Sequence, residues 1–309
     1  MKTTFFAVAL LIMSAFTVNA NDYSFVKEYP VSTPANLKIT TSGGGISVHG
    51  YDKDVIEVKF IIKKRNEVLA ITFDQLSQYA DVDITTDKQN LTIVVRMTKE
   101  PNMSVSFEVK TPRSTKSNLN TAGGGINVED LIGNQSCNTS GGGLMFKQIN
   151  GNIDCKTAGG GIVISDVKGK VNADTSGGGI NLTNVDGNAN VENSSADKSA
   201  NDINVKTSGG SLHLSNVSGS IEATTMGGGI TAKISALKQS LKLITYGGSI
   251  DAEIPNGSYD LHVSANRIEA NLSNFEGTNK RDKISGKLNG GGIPVDISTE
   301  GGHVHLVFK

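Results

Sequence analysis

Thr121-Ala122-Gly123-Gly124-Gly125-Ile126 is the first of four similar phrases within residues 121–187. The other three are Thr139-Ser140-Gly141-Gly142-Gly143-Leu144, Thr157-Ala158-Gly159-Gly160-Gly161-Ile162 and Thr175-Ser176-Gly177-Gly178-Gly179-Ile180. Each of these glycine phrases begins 18 residues after the previous one. A constant period of about this length indicates structural repeats that stack on one another.

Apolar and polar residues alternate on both sides of each glycine phrase. The position four residues before the first glycine holds Leu119, Cys137, Cys155 and Ala173, and the position three residues after it holds Ile or Leu. Alternation with a period of two is typical of β-strands that bury one face. The pattern extends beyond the regular stretch, because weaker copies of the phrase begin at Thr41, Thr207, Thr225, Thr245 and Thr299.

The spacing predicts an all-β fold, a single-stranded right-handed parallel β-helix (β-solenoid) with coils of about 18 residues and irregular capping ends. In such a stack, equivalent residues lie about 4.8 Å apart on neighbouring strands, which explains why they resemble one another. A right-handed coil follows from the usual handedness of parallel β connections. The alternative, a sandwich of β-hairpins, would not require like residues at a fixed step.

We interpret the glycine triplets as corners of the coil, where glycine permits positive φ and close approach of the backbone. A second corner is expected at the lone glycines that follow, such as Gly133 and Gly169. The threonine that opens each phrase has the same parity as the apolar column. We therefore expect these threonines to point inward and to form a ladder of hydroxyl groups, one above another.

Residues 1–20 have the features of a secretory signal peptide. Lys2 precedes an apolar run over residues 5–13, and Val18-Asn19-Ala20 forms a small-x-small site that predicts cleavage between Ala20 and Asn21. The run is too short to cross a bilayer as a helix, although a retained anchor is the alternative. We expect export to the periplasm, the cell surface or the medium, with no transmembrane segment after cleavage.

The mature chain is predicted to be one continuous domain with two regions. Residues 21–115 form irregular β coils that cap the solenoid, with a possible short helix over residues 66–78; a separate domain is the alternative. Residues 116–309 form the repetitive solenoid. The polar segment 192–202 is expected to be a surface loop, and the sequence leaves open whether that loop is functional or a tolerated insertion.

The glycine phrases, the segment Phe107-Glu108-Val109-Lys110-Thr111-Pro112 and the signal peptide together resemble the bacterial "putative adhesin" family, which is related to the head-GIN type of domain. The likeness covers roughly residues 37–309. It implies a single-stranded right-handed β-helix and an adhesin-like role. The glycine motif is specific for the fold, whereas the name of the family implies little about mechanism.

Few residues in the sequence could carry chemistry. The formal net charge is −1 and no basic stripe is present, so nucleic acid is not an expected partner. His303 and His305 could share a metal ion, but two ligands make a weak site, and we interpret both as surface residues. Outward positions show no cluster of carboxylates of the kind that polysaccharide-active β-helix enzymes need. We expect no enzyme activity, no cofactor and no bound metal.

Cys137 and Cys155 occupy the same coil position, one 18-residue step apart. Their separation would suit a disulfide, but in-register neighbours point their Cβ atoms in the same direction, which strains the required torsion. Buried cysteines also serve as small apolar filler. A disulfide and two stacked buried thiols both remain open.

Two functions are consistent with these observations. The first is a non-catalytic, adhesin-like binding protein of the cell envelope or surface, which binds an envelope protein or a glycan through an extended face. The alternative is a structural scaffold of the envelope that has no ligand of its own. A polysaccharide-active enzyme is less favoured.

Overall fold

The computed structural model describes residues 23–65, 67–100, 102–187 and 202–309. The opening strands are β1 (Phe25–Pro30), β2 (Ala35–Thr41), β3 (Ile46–Tyr51), β4 (Val55–Lys64), β5 (Glu67–Val68), β6 (Ala80–Thr86), β7 (Asn90–Met97) and β8 (Met103–Pro112). Helix α1 (Phe73–Leu76) lies between β5 and β6. The described residues are therefore almost entirely β, as predicted.

The regular section contains β9 (Thr115–Thr121), β10 (Ile126–Ile132), β11 (Gln135–Thr139), β12 (Leu144–Asn150), β13 (Ile153–Thr157), β14 (Ile162–Lys168), β15 (Val171–Thr175), β16 (Ile180–Asp186) and β17 (Ile203–Thr207). The chain continues with β18 (Leu212–Thr225), β19 (Ile230–Thr245), β20 (Ile250–Ile254), β21 (Tyr259–Ser264), β22 (Arg267–Ala270), β23 (Phe275–Asn279), β24 (Lys283–Leu288), β25 (Ile293–Thr299) and β26 (His303–Phe308).

The strands stack in two columns. The threonine sheet consists of strands that end at the phrase threonine, namely β2, β9, β11, β13, β15, β17, the final parts of β18 and β19, and β25. The isoleucine sheet consists of strands that follow the glycine corner, namely β3, β10, β12, β14, β16, the first parts of β18 and β19, β20 and β26. These strands pair in parallel within each sheet, which confirms an all-β, solenoid-like architecture; the right hand of the coil stays a prediction.

Register is set by the repeat. Cys137 pairs with Cys155 and Thr139 with Thr157 in the threonine sheet, while Leu144 pairs with Ile162 in the isoleucine sheet. The alternating residues of each strand point inward and are buried. Fully burying one aliphatic side chain contributes about 1.5–3 kcal/mol, so a core of such columns is a large stabilising term. That core runs without interruption from Val31 to Leu306 and thus includes residues of the predicted cap.

Of the two reasons predicted for the glycine corners, positive φ and close approach of the backbone, the structure confirms only close approach for the regular phrases. Positive φ was wrong for the regular phrases, because none of the triplet glycines within residues 121–187 has positive φ. What the middle glycine needs is space. A Cβ on Gly142 would overlap the carbonyl group of Gly124 in the coil before it. The corner can stack tightly only if that position has no side chain.

Positive φ occurs instead at two other places in the coil. The lone glycines Gly133 and Gly169 have φ of 136° and 140°. The strands of the isoleucine sheet also bend at the residue seven positions after the first glycine of a phrase. The residues at this position with φ between 54° and 60° are Asp130, Gln148, Asp166, Asn184 and Asn216. Asn and Asp adopt this conformation more readily than other non-glycine residues. The sequence signal was the abundance of Asn and Asp at that position, which the periodicity analysis missed.

The two ends depart from the coil. At the first end, the threonine sheet continues through β7 to β6, and the isoleucine sheet through β8 and β4 to β1. At the other end, the threonine sheet continues from β25 through β21 and β24 to β23, and the isoleucine sheet ends at β22. Antiparallel pairings follow the last parallel ones at both ends. Repeat arrays need atypical ends, and the role of residues 21–115 as a cap stays a prediction.

The predicted helix is much shorter than expected. Helix α1 spans only Phe73–Leu76 and begins with a capping box between Thr72 and Gln75. The preceding residues Glu67 and Val68 instead form β5, which pairs with β4. Pairing with an available strand edge therefore overrides the weak helical spacing of the apolar residues in this segment.

Candidate binding face

The exposed side of the threonine sheet is rich in amides and charged groups. We call this surface, from β9 to β17, the amide face. Because these strands pair in register, like side chains form rows across the coils. Its outward side chains are Asn118, Asn120, Ser136, Asn138, Asp154, Lys156, Asn172, Asp174, Asn204 and Lys206.

Hydrogen bonds connect the side chains of the amide face across coils. Asn172 Nδ2 donates to Asp154 Oδ1 at 2.8 Å, and Asn204 Nδ2 donates to Asn172 Oδ1 at 3.3 Å. A parallel row contains the bond from Asn138 Nδ2 to Asn120 Oδ1, at 3.3 Å. These bonds hold the amide planes in a defined orientation, and an amide group has more donor and acceptor positions than one such bond uses.

A shallow groove of about 510 Å³ runs along this face. One wall is formed by Asn134 and Asn152, whose side-chain oxygens accept backbone N–H groups of the next coil, from Asn152 at 3.1 Å and from Lys170 at 2.9 Å. Asn204 also lines the groove, and its buried Oδ1 has no hydrogen-bond partner among the described residues. The side chains that line the groove include amides, hydroxyls and a carboxylate, so it can both donate to and accept from a polar ligand.

A second row of amides follows the bend of the isoleucine sheet. Asn184 Nδ2 donates to Asp166 Oδ1 at 2.9 Å, and Asn216 Nδ2 donates to Asn184 Oδ1 at 2.9 Å. The flat outer face of this sheet is mixed. It exposes Met145 and Val163 beside the ion pair of Lys147 Nζ with Glu129 Oε1 at 3.0 Å. The rows of amides distinguish the amide face and this bend from the rest of the regular section.

The two C-terminal histidines lie on an outer strand. His305 Nδ1 is 3.4 Å from Asp251 Oδ1, and the backbone N–H of His303 donates to Ser249 Oγ at 3.2 Å. Within the described residues, no group of three or more His, Cys, Asp or Glu side chains is placed to hold a metal ion. The structure therefore does not bring a third ligand to these histidines.

The phrase threonines are buried, as predicted, but they do not form a ladder of hydroxyls. Thr157 Oγ1 donates to the carbonyl of Gly142 at 2.7 Å, and it accepts the backbone N–H of Gly160 at 3.3 Å. Thr139 and Thr175 repeat the same pair of bonds. Each hydroxyl thus ties its own corner to the corner of the coil before it, rather than to another threonine.

Cys137 and Cys155 are adjacent, buried and free in the structure. Burial raises the pKa of both thiols well above the usual value for cysteine, more than offsetting the hydrogen bond from Ser117 at Cys137. A neutral, inaccessible thiol is a poor nucleophile, and both side chains lie within the hydrophobic core.

Both cysteines should resist a water-soluble maleimide in the folded protein and react rapidly after denaturation without reductant. The exposed variant Ser140→Cys is the matched control and should react while folded. A requirement for reductant would indicate a disulfide, and rapid native labelling of the wild type would contradict the inward column. Folding raises the pKa of both thiols, so the burial of the neutral thiols contributes to the free energy of unfolding in a way that depends on pH. This contribution is full below the ordinary thiol pKa of 9.0 and is lost as pH rises above it.

Three sequence-predicted features lie outside the described residues: the cleavage site Ala20–Asn21, the signal peptide, and the polar segment 192–202 except for Asp202.

Asp202 itself is described and is buried rather than exposed at the surface. Its Oδ2 accepts the backbone N–H of Ser220 at 3.1 Å and lies 3.6 Å from Lys238 Nζ. None of the helices within the described part of the chain has the length and apolar character needed to cross a membrane.

The geometry defines a class: an all-β, solenoid-like protein with hydrogen-bonded amide rows on its surface. The chain belongs to the Toastrack DUF4097 family, whose profile matches residues 34–307. No curated protein matches the chain significantly.

Two solved structures are similar to the chain. One is a putative cell adhesion protein from Clostridium sporogenes, which is 8% identical in sequence and has a TM-score of 0.24. The alignment covers 92% of this chain and 99% of that protein's chain. The other is a putative adhesin from Parabacteroides distasonis, 15% identical, with a TM-score of 0.41, covering 92% of this chain and 96% of its own.

Proposed function

We propose that the protein is an exported, non-catalytic, adhesin-like binding protein of the cell envelope or surface, and that its amide face binds a glycan. The observation that carries this proposal is the groove lined by amide side chains that form hydrogen-bonded rows across the coils. We further propose that the coils form a right-handed β-helix, which presents the rows along one side of an elongated scaffold.

The chemistry of the amide face suits sugar hydroxyls. A hydroxyl both donates and accepts hydrogen bonds, and so does the side chain of Asn. The polar groups recur at each coil, about 4.8 Å apart, so a polymer lying along the groove would meet the same groups repeatedly. Many weak contacts along one chain would then add up to useful avidity.

Export is the second part of the proposal and is supported by residues 1–20, with their charged start, short apolar run and small-x-small site. A periplasmic or surface location would bring the amide face into contact with envelope polysaccharides. The proposal requires no cofactor and no nucleic acid.

Affinity electrophoresis through gels that contain dextran, alginate or soluble peptidoglycan strands tests the binding proposal. We expect at least one polymer to retard the wild type. The double variant Asn172→Ala/Asn204→Ala should bind about tenfold more weakly, because two hydrogen bonds of about 0.5–1.5 kcal/mol each are removed.

The matched control is Asn181→Ala/Thr183→Ala, which removes exposed polar groups from the isoleucine sheet of the same region. It should bind as the wild type does. Absence of retardation by all three polymers, or equal weakening in both double variants, would overturn the assignment of the amide face.

A scaffold without a ligand is the second candidate, and one observation favours it. The amides bond to one another, from Asn204 to Asn172 and from Asn172 to Asp154, so part of their capacity stabilises the stack itself. If this is their main role, the Asn172→Ala/Asn204→Ala variant should lower the free energy of unfolding while no polymer binds either protein.

A further inference from the structure

The core is incompletely covered at the two ends of the solenoid. In the part of the chain that the structure describes, and apart from Leu237, the partly buried apolar side chains that pack against the core lie within residues 25–97 and 265–308. At the first end they include Val82 and Ile84 of β6, and at the other end they include Phe275 of β23. Each end therefore presents apolar surface that a further layer of structure would cover.

Both ends also present a free strand edge, and both free edges belong to the threonine sheet. Within the described residues, β6 pairs only with β7, and β23 pairs only with β24. A free edge leaves backbone N–H and C=O groups available for pairing with another strand.

The corresponding ends of the isoleucine sheet are better protected. Strand β1 ends at Pro30, which has no N–H, and α1 packs on it through Phe73, whose ring lies 5.9 Å from that of Phe25. At the other end, the carbonyl of Arg281 accepts the backbone N–H of Ile268 in β22 at 2.7 Å. Further pairing is thus directed to the threonine sheet.

Strand directions decide how two copies could join. Strand β7 is parallel to β2, and β6 is antiparallel to β7, so β6 runs against the solenoid strands. At the other end, β21 is parallel to β25 and so runs in the solenoid direction. Strand β24 is antiparallel to β21, and β23 is antiparallel to β24, so β23 again runs in the solenoid direction. If two copies stack head to tail along a common axis, β23 of one copy meets β6 of the next as an antiparallel pair.

The charges at the two edges are opposite. Strand β6 exposes Asp81 and Asp83, and the turn after β23 exposes Lys280 and Arg281. None of these four side chains forms an ion pair with another described residue. Charges of the other sign lie nearby as well: Arg96 stands opposite Asp81 on β7, the exposed Glu276 lies on β23, and Asp282 lies in the basic turn.

Antiparallel pairing brings these charges together, because it places the end of β23 beside the start of β6. The register that puts Lys280 opposite Asp81 also puts Thr278 opposite Asp83. It places Glu276 opposite Thr85, away from the carboxylates of β6, and Arg281 opposite Ala80 at the start of that strand. It keeps Gly277 and Ile84 on the inner side, where the core continues. Head-to-head contact would instead bring carboxylates against carboxylates, which is unfavourable.

We propose that the protein assembles head to tail with further copies of itself, through antiparallel pairing of β23 with β6 of the next copy. The contact is heterologous: it joins two different edges, so every assembly still has one free β6 edge and one free β23 edge. It therefore generates a linear assembly rather than a closed dimer. Its affinity depends on opposite charges at the surface, so it weakens as salt rises.

Sedimentation velocity and negative-stain microscopy of the purified full chain test this proposal across protein and salt concentrations. The wild type should form rods that lengthen with protein concentration and shorten with added salt. Asp81→Lys/Asp83→Lys and Lys280→Glu/Arg281→Glu should each be monomeric, because both ends of each variant then carry the same sign.

An equimolar mixture of the two charge-reversal variants should restore rods, since every junction in an alternating assembly again joins opposite charges. The control Lys156→Glu/Asp174→Lys swaps an ion pair in the middle of the amide face, 3.3 Å long, and should assemble as the wild type does. Circular dichroism and melting of each variant verify its fold.

A wild type that stays monomeric at all concentrations, or one that stops at a dimer, would overturn the proposal. Failure of the mixture to form rods while both variants are folded would also overturn it, because the charges would then not direct the contact.

Discussion

Gly124→Ala is expected to lower the free energy of unfolding by about 3 kcal/mol or more, which is at the upper end of the usual effect of overpacking. The added Cβ would overlap the carbonyl group of Gly44 in the neighbouring coil. The backbone on both sides of the corner is held by strand pairing, so it cannot move away without loss of register. Urea unfolding followed by circular dichroism measures the difference.

Gly123→Ala provides a control in the same phrase. Its Cβ would come no closer than 3.8 Å to the Cα of Gly43, which is an ordinary van der Waals distance. We expect this variant to remain within about 1 kcal/mol of the wild type, since Gly→Ala at a compatible position restricts the unfolded chain and is often mildly stabilising. Equal destabilisation by the two substitutions would contradict the close-approach explanation of the triplet.

Thr157→Val is expected to cost about 1–3 kcal/mol, although the two side chains are almost equal in shape. The substitution removes the hydroxyl that donates to the carbonyl of Gly142, and it leaves that carbonyl without this partner at a part-buried corner. A ladder of hydroxyls alone would have predicted a small cost. Thr157→Lys should be more disruptive still, because Thr157 is fully buried and the ammonium group would have no counter-charge.

Thr183→Val is the matched control for the threonine prediction. Thr183 lies on the exposed side of β16, so its replacement should change stability by no more than about 0.5 kcal/mol. Thermal or urea unfolding of the three variants provides the comparison. If Thr157→Val were as stable as Thr183→Val, the hydroxyl bridge between coils would contribute nothing measurable.

Comparison of the glycine and threonine columns shows that they act together. The middle glycine allows the corners to approach, and the threonine hydroxyl then bridges the gap to the carbonyl of the corner before it. Neither residue alone would make the corner repeat. The phrase Thr-x-Gly-Gly-Gly therefore recurs as a unit, because each of its key positions satisfies a requirement created by the neighbouring coil.

Much of the fold follows from the amino-acid sequence read by itself. The 18-residue period and the alternation around it identified the strands, their stacking and the buried columns, including the adjacent Cys137 and Cys155. These features are readable because in-register parallel pairing makes like residues neighbours, so every coil needs the same residue at the same position. The same reasoning identified the inward threonines, although not the partners of their hydroxyls.

Tertiary structure alone decided the rest. The Thr157 hydroxyl bonds to a glycine carbonyl because the corner of the previous coil lies beside it, a distance that no sequence spacing reveals. Strand pairing with β4 replaced the first part of the predicted helix, and antiparallel hairpins left β6 and β23 as the free edges. Such features depend on which groups remain unpaired after the chain has folded, and only the complete set of contacts determines that.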